Sequence, residues 1–271
     1  MTEEPLTVGD IDYRHHGAVG TITMSDPPQN RLTLSMIDDF AEALNCAGTS
    51  EIRALVICGD GDNFSHVADL LGWLDMDVNA KEVRHYLIRL NQLFQQVEAL
   101  PIPVIAAVRG FCTGGGLELA MRCDLVIAAK DTQFRFPETT IAMPPLAGGV
   151  QRLAERAGRA RAVRIALLSD TFSGVEADQM GLIARLADAC DVLDIADDLA
   201  HRLADGPTLA YAGVKQLLAA WSEGGVGAAD RLLLDVGQAS LNSEDFNRGI
   251  HNAVAAIRKG VPRPPIVYNG R

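Results

Sequence analysis

The sequence predicts a layered α/β core followed by a helical extension, and three observations carry that reading. Apolar, β-branched runs alternate with helical patterns through the first two-thirds of the chain. A glycine-rich strand-to-helix turn, RGFCTGGGLELAMRCD from Arg109 to Asp124, stands at its centre. The last third is almost entirely of helical period. The reading divides the chain into a core over 1–205 and a helical region over 206–271.

In chain order, VGTITM (Val19 to Met24) alternates and predicts a strand, which the turn SDPPQN (Ser25 to Asn30) ends. A helix is expected from about Ser35 to Ala47, then ALVIC (Ala54 to Cys58) as a strand apolar enough to be buried on both faces. The turn-rich GDGDNFSHVADL (Gly59 to Leu70) leads toward a helix over Val83 to Leu100, stopped by Pro101 and Pro103. PVIAAV (Pro103 to Val108) gives a third strand, DLVIAA (Asp124 to Ala129) a fourth and Gln133 to Phe136 a short fifth. FPETTIAMPPLAGGVQRL (Phe136 to Leu153) is a proline- and glycine-interrupted loop entering a helix. Helices follow over Ala160 to Leu168, Val175 to Met180, Asp191 to Ala204, Thr208 to Trp221, Ala228 to Leu241 and Ser243 to Lys259.

In the central turn, Gly114 to Gly116 let the backbone approach a ligand closely. The first N–H groups of the helix beyond have no partner within it, and its dipole adds partial positive charge. Such a place suits an anion. Neither phosphate pattern fits, since no Lys-Ser/Thr follows the glycines and no G-x-G-x-x-G is present. An oxygen that becomes negative during a reaction fits better, although tight packing alone also produces such turns.

Two carboxylates stand out by context. Glu118 sits in an otherwise apolar segment (LELAM), and Glu138 follows Phe136-Pro137 at a strand end. Burial raises a carboxyl pKa toward the range useful for proton transfer, so the pair suits a general base and a general acid. The plainer alternative makes Glu118 a helix-terminus residue and Glu138 a solvated loop residue. His66 in NFSHVADL is a candidate proton shuttle or a loop histidine with a local hydrogen bond. His15-His16 precede the first expected strand and read as surface, and Asp75 and Asp77 near Trp73 only loosely suggest a metal cluster. H-E-x-x-H, paired C-x-x-C and G-x-S-x-G are absent, so no metal site, zinc protease or serine hydrolase is expected.

Composition narrows the classes further. A net charge of −11 over 271 residues, with no Lys/Arg cluster, argues against a nucleic-acid partner. The acidic, polar start MTEEPLTVGD predicts no secretory leader, and no apolar run is long enough to cross a bilayer. Five scattered cysteines (Cys46, Cys58, Cys112, Cys123, Cys190) predict reduced core thiols and a cytoplasmic location.

The stretches PPQNRL, NFSHVADL, RGFCTGGGLELAMRCD, FRFPETTIAMPPLAGGVQRL and SEDFNRGIHNAVAAIRKGVP together resemble the crotonase superfamily, the enoyl-CoA hydratase/isomerase family, along nearly the whole chain. That resemblance implies a stack of ββα units with a C-terminal helical trimerisation region, assembled as a homotrimer or dimer of trimers. The implied ligand is an acyl-CoA thioester, with coenzyme A part of the substrate and no separate cofactor. By motif position the oxyanion hole would be the N–H groups of Ala68 and Gly115. Glu118 would activate water for addition at C3, and Glu138 would exchange the proton at C2, which together describe an enoyl-CoA hydratase. Double-bond isomerisation, C–C cleavage and a catalytically silent acyl-CoA-binding paralogue are the alternatives. One departure stands in the family's Phe-Ser-Ala-Gly-Ala-Asp loop, where His66 replaces alanine and Val67 replaces glycine before Ala68. Either the loop is remodelled with the Ala68 N–H still inward, or the chemistry has drifted with His66 taking part. Arg31 and Arg258 or Lys259 are candidates by position for the CoA phosphates, with solvated surface charges as the equal alternative for each.

Overall fold

The computed structural model describes residues 6–66 and 80–271. Strands β1 (Leu6–Val8), β2 (Ile11–His16) and β3 (Val19–Met24) form an antiparallel meander. Helix α1 (Leu34–Thr49) begins at Thr33, whose hydroxyl accepts the Met36 N–H, and buries Met36, Ile37, Phe40, Ala43, Leu44 and Ala47 at helical spacing. Then come β4 (Ala54–Gly59), α2 (Ala80–Ala99), β5 (Val104–Val108), β6 (Phe111–Thr113) and α3 (Gly115–Arg122). β7 (Leu125–Ala129) and β8 (Gln133–Arg135) lead into a 3-10 turn, Glu138–Ile141. Helices α4 (Gly149–Ala157) and α5 (Arg159–Leu168) follow, then β9 (Phe172–Ser173), α6 (Gly174–Gln179) and β10 (Arg185–Ala187). The chain ends in α7 (Val192–Ala204), α8 (Thr208–Gly224), α9 (Val226–Leu241) and α10 (Glu244–Lys259).

The strands fall into two sheets. The larger runs β1-β2-β3-β4-β5-β7-β10 and is parallel from β3 onward; the smaller runs β6-β8-β9. Successive segments give one strand to each sheet and then turn: β5 and β6 before α3, β7 and β8 before the 3-10 turn. Ser65 follows the same rule, bridging Cys112 after β4. This is the expected stack of ββα units. Because side chains alternate along a strand, each central strand serves two cores. Leu55 and Ile57 of β4 face the main core, while Ala54, Val56 and Cys58 face the stripe Val192, Ala196, Ala200 and Ala204 of α7.

All five expected strands are present, and among the described residues five more accompany them. The pair His15-His16 lies within β2 rather than before the first strand, and the His15 side chain is half-buried. Cys58, Cys112 and Cys123 are buried thiols as expected, but Cys190 is exposed. The 205/206 division falls in the turn between α7 and α8, where the segment beyond is pinned to the core. Arg53 donates to Thr208 Oγ1 (2.9 Å) and to the carbonyls of Tyr268 (2.7 Å) and Gly206. Lys215 of α8 reaches Asp124 Oδ2 (2.7 Å) and the Ile102 carbonyl (3.0 Å). Among the described residues no helix is long and apolar enough to cross a membrane.

Candidate active site

The site forms where the two sheets hand the chain to α3. Thr113 N–H donates to the Ser65 carbonyl (2.9 Å) and Gly114 N–H to the Arg135 carbonyl (2.9 Å), which lashes the turn to β8 and to the chain leaving β4. Gly114 turns at φ +55, a left-handed value that a side chain strains to adopt. A Cβ there would also lie 3.1 Å from Glu138 Oε1. Gly115 opens α3, and among the described residues its N–H has no acceptor. As a first-turn N–H it stands at the positive end of the helix dipole. Helix α3 is buried along its full length, which explains why its sequence is apolar on every side except at Glu118 and Arg122. Those two are four residues apart and share one face.

Glu118 is 3% exposed and held by backbone: its Oε1 accepts the N–H groups of Ala147 (2.8 Å) and Gly149 (2.9 Å). Burial raises its pKa, opposed by those two hydrogen bonds and by the charges of Arg122 and Arg152. Glu138, in the 3-10 turn, is 8% exposed, and its Oε2 has no hydrogen-bond partner. Burial, with the Glu118 charge adding to it, raises the Glu138 carboxyl to about 7, although its own backbone N–H pulls the other way. Burial thus raises both acids, but their partners differ. Glu118 has the donors and cations that favour its charged form; Glu138 faces a negative neighbour and an empty lone pair. Two further buried oxygens beside the glycine turn, Ser65 Oγ and Thr113 Oγ1, also lack partners. Buried polar atoms are rarely left so, and here they cluster at one place.

The solvated-loop alternative for Glu138 is overturned by its burial. Glu118 does lie in the first turn of its helix, but its carboxylate serves the distant 147–149 segment rather than the helix end. His66 donates its backbone N–H to the Gln29 carbonyl (2.8 Å) and sets its ring edge-on to Phe111, 4.7 Å between centroids. Burial lowers its pKa, which favours the neutral imidazole. Arg31 pairs through Nε with Asp26 Oδ2 at 3.0 Å, and Lys259 is exposed in the last turn of α10. Ala68, Val67, Asp75 and Asp77 lie outside the described residues. Among the described residues no group of three or more His, Cys, Asp or Glu is arranged to hold a metal ion. Sequence reasoning missed Ala147, Gly149, Arg122, Arg152 and Glu98; the charged Arg122 inside an apolar helix was the one local signal.

Comparison with known proteins is uniform. The family Enoyl-CoA hydratase/isomerase matches residues 14–253. A Bacillus subtilis protein named "Probable enoyl-CoA hydratase" is 33% identical over 202 residues, covering 74% of this chain and 78% of its own. The 2,3-dehydroadipyl-CoA hydratase of Escherichia coli is 32% identical over 203 residues, covering 73% and 76%. The crystal structure of an enoyl-CoA hydratase from Polaromonas sp. JS666 superposes with a TM-score of 0.85 at 28% identity, covering 95% of this chain and 99% of that one.

Proposed function

The chain belongs to the enoyl-CoA hydratase/isomerase (crotonase) family of acyl-CoA enzymes, and on that premise we propose that it adds water across a trans-2-enoyl-CoA. The observation that carries this reading is a pair of buried carboxyls with unlike partners: Glu118 holds two backbone N–H donors, while Glu138 has an unpartnered oxygen and is raised to about 7. An ionised Glu118 takes a proton from water as the water oxygen bonds to C3. The electron pair of the C2–C3 double bond moves into the thioester, whose oxygen becomes an enolate oxyanion. The N–H of Gly115, with that of Ala68 as the proposed second donor, stabilises this charge most where it is fully developed. A protonated Glu138, its carboxyl raised to about 7, then delivers a proton to C2. Glu118 leaves the cycle protonated and Glu138 ionised, and exchange of one proton between them resets the site.

The relatives named as hydratases support the reaction type, and the two glutamates support water addition over isomerisation, which needs no activated water. The test is crotonyl-CoA in ¹⁸O-labelled water, followed by mass spectrometry. The reading expects 3-hydroxybutyryl-CoA carrying one ¹⁸O at C3; a shifted double bond without label incorporation overturns it. Lys259 and Arg258, exposed on α10, are the proposed contacts to CoA phosphates, with Arg31 sharing its charge with Asp26. We further propose a homotrimer or dimer of trimers through the C-terminal helices. Leu218, Leu233, Leu234 and Ile257 support this, being between 51% and 87% exposed there. Sedimentation of a Leu234→Asp variant is expected to give a smaller species than the wild type.

A further inference from the structure

We propose that Glu98, in the last turn of α2, is a positioning residue for Glu118, acting through Arg122 and Arg152 on the peptide that holds the Glu118 carboxylate. The geometry is a closed relay. Glu118 Oε1 takes the Gly149 N–H at 2.9 Å, and the carbonyl of the same peptide unit, that of Gly148, accepts Arg152 Nη1 at 3.1 Å. A peptide is planar and trans, so fixing its carbonyl on one side fixes the direction of its N–H on the other. One peptide earlier, the Ala147 carbonyl accepts Arg122 Nη2 at 2.9 Å, and in the peptide before that the Ala147 N–H donates to Glu118. Both guanidiniums therefore grip the short segment that grips Glu118.

Two cations this close repel one another, and each lies near where a Gly148 side chain would be, 2.6 and 2.7 Å from a built Cβ. Glu98 is what allows them to share the place. Its Oε2 accepts Arg122 Nη1 (2.7 Å) and Arg152 Nη2 (2.5 Å), and its Oε1 accepts Arg152 Nε (2.7 Å). This is a forked, charge-assisted arrangement of the kind that fixes direction as well as energy. Burial alone would raise the Glu98 carboxyl, but hydrogen bonds from Arg152 and Arg122 carry it below the ordinary value, so the clamp is charged at neutral pH. Nothing in the hydration scheme above uses these three side chains directly.

The test takes the catalytic role of Glu118 from the reading above but includes a readout that does not depend on it. In Glu98→Gln the two arginines lose their shared anion, the 147–149 segment loosens, and Glu118 loses its fixed donors. The groups acting on Glu118 are then Arg122 from its own helix, Arg152 from α4 and Glu138 from the 3-10 turn. The expected result is a kcat for crotonyl-CoA hydration lower by about 10- to 100-fold, the scale on which small misplacements act, with KM nearly unchanged. The Glu118 carboxyl, titrated by infrared difference against Glu118→Gln protein, is expected to move from its wild-type midpoint, because its two backbone donors and the two guanidiniums all act on it. Glu98→Asp keeps the anion and is expected to recover part of both effects; it also carries the test should Glu98→Gln fail to fold. Folded variants with unchanged kcat and unchanged titration overturn the proposal. A wild type that does not hydrate, together with a titration that still moves in Glu98→Gln, overturns the hydratase reading and leaves the positioning role standing.

Discussion

Replacing Glu138 by glutamine isolates the feature on which the chemistry rests, because the substitution keeps the shape and removes the proton. The Glu138 carboxyl is raised from an ordinary 4.5 to about 7, with burial as the main cause and the Glu118 charge adding to it. A group that binds its proton more tightly when folded supports the fold below pH 4.5, and that support is lost as pH rises through about 7. The rise from 4.5 to about 7 corresponds to about 3 kcal/mol. Glutamine is never charged, so Glu138→Gln should be more stable than wild type by about 2–3 kcal/mol at pH 8 and by under about 1 kcal/mol at pH 5. Urea unfolding at the two pH values reads the difference directly, without substrate. Hydration by the same variant should fall by about 10²–10⁴-fold, the usual contribution of a positioned acid or base. A stability difference that is the same at pH 5 and pH 8 would refute the reasoning, since the carboxyl would then titrate in the folded protein as it does unfolded.

Further outcomes follow from the same structure. Gly114→Ala meets both a left-handed φ of +55 and Glu138 Oε1 at 3.1 Å, and should cost about 1–2 kcal/mol of stability by thermal melting while lowering kcat. Lys215→Met leaves Asp124, whose side chain is 28% exposed, with the Val104 N–H but without its cation, and should cost about 1 kcal/mol in urea unfolding. The hydration rate is expected to fall on the alkaline side as Glu138 ionises, with its midpoint near 7 in a kcat/KM profile. In Glu118→Gln that midpoint should move to lower pH, because a neighbouring negative charge that raises Glu138 is gone.

The long parallel strands were legible because they are apolar: Ala54 to Cys58 read as buried on both faces, Pro103 to Val108 read as a strand, and β4 and β5 are buried throughout. The strands that escaped are short or charged. β9 and β10 have two and three residues, too few to show a period, and β6 hides inside the glycine segment. β2 does alternate, with Ile11 and Tyr13 inward, but its end in Arg14-His15-His16 masks the pattern. At the site, Glu118 and Glu138 were legible as acids in apolar surroundings, which demand either a partner or a function. The donors to Glu118 were not, because they lie 29 and 31 residues away on a loop whose sequence carries no polar side chain there. Glu98 was not legible either: it lies 24 residues from Arg122 and 54 from Arg152, and only the packing of α2 against α3 and α4 joins them.

The most direct test of the account follows the ultraviolet absorbance of the enoyl thioester when crotonyl-CoA meets the wild-type protein and the Glu118→Gln variant at pH 7. The account predicts rapid loss of absorbance with the wild type and a loss slower by about 10²–10⁴-fold with the variant, while both bind the thioester comparably. Equal rates in the two proteins would contradict it, since water would then be activated without Glu118.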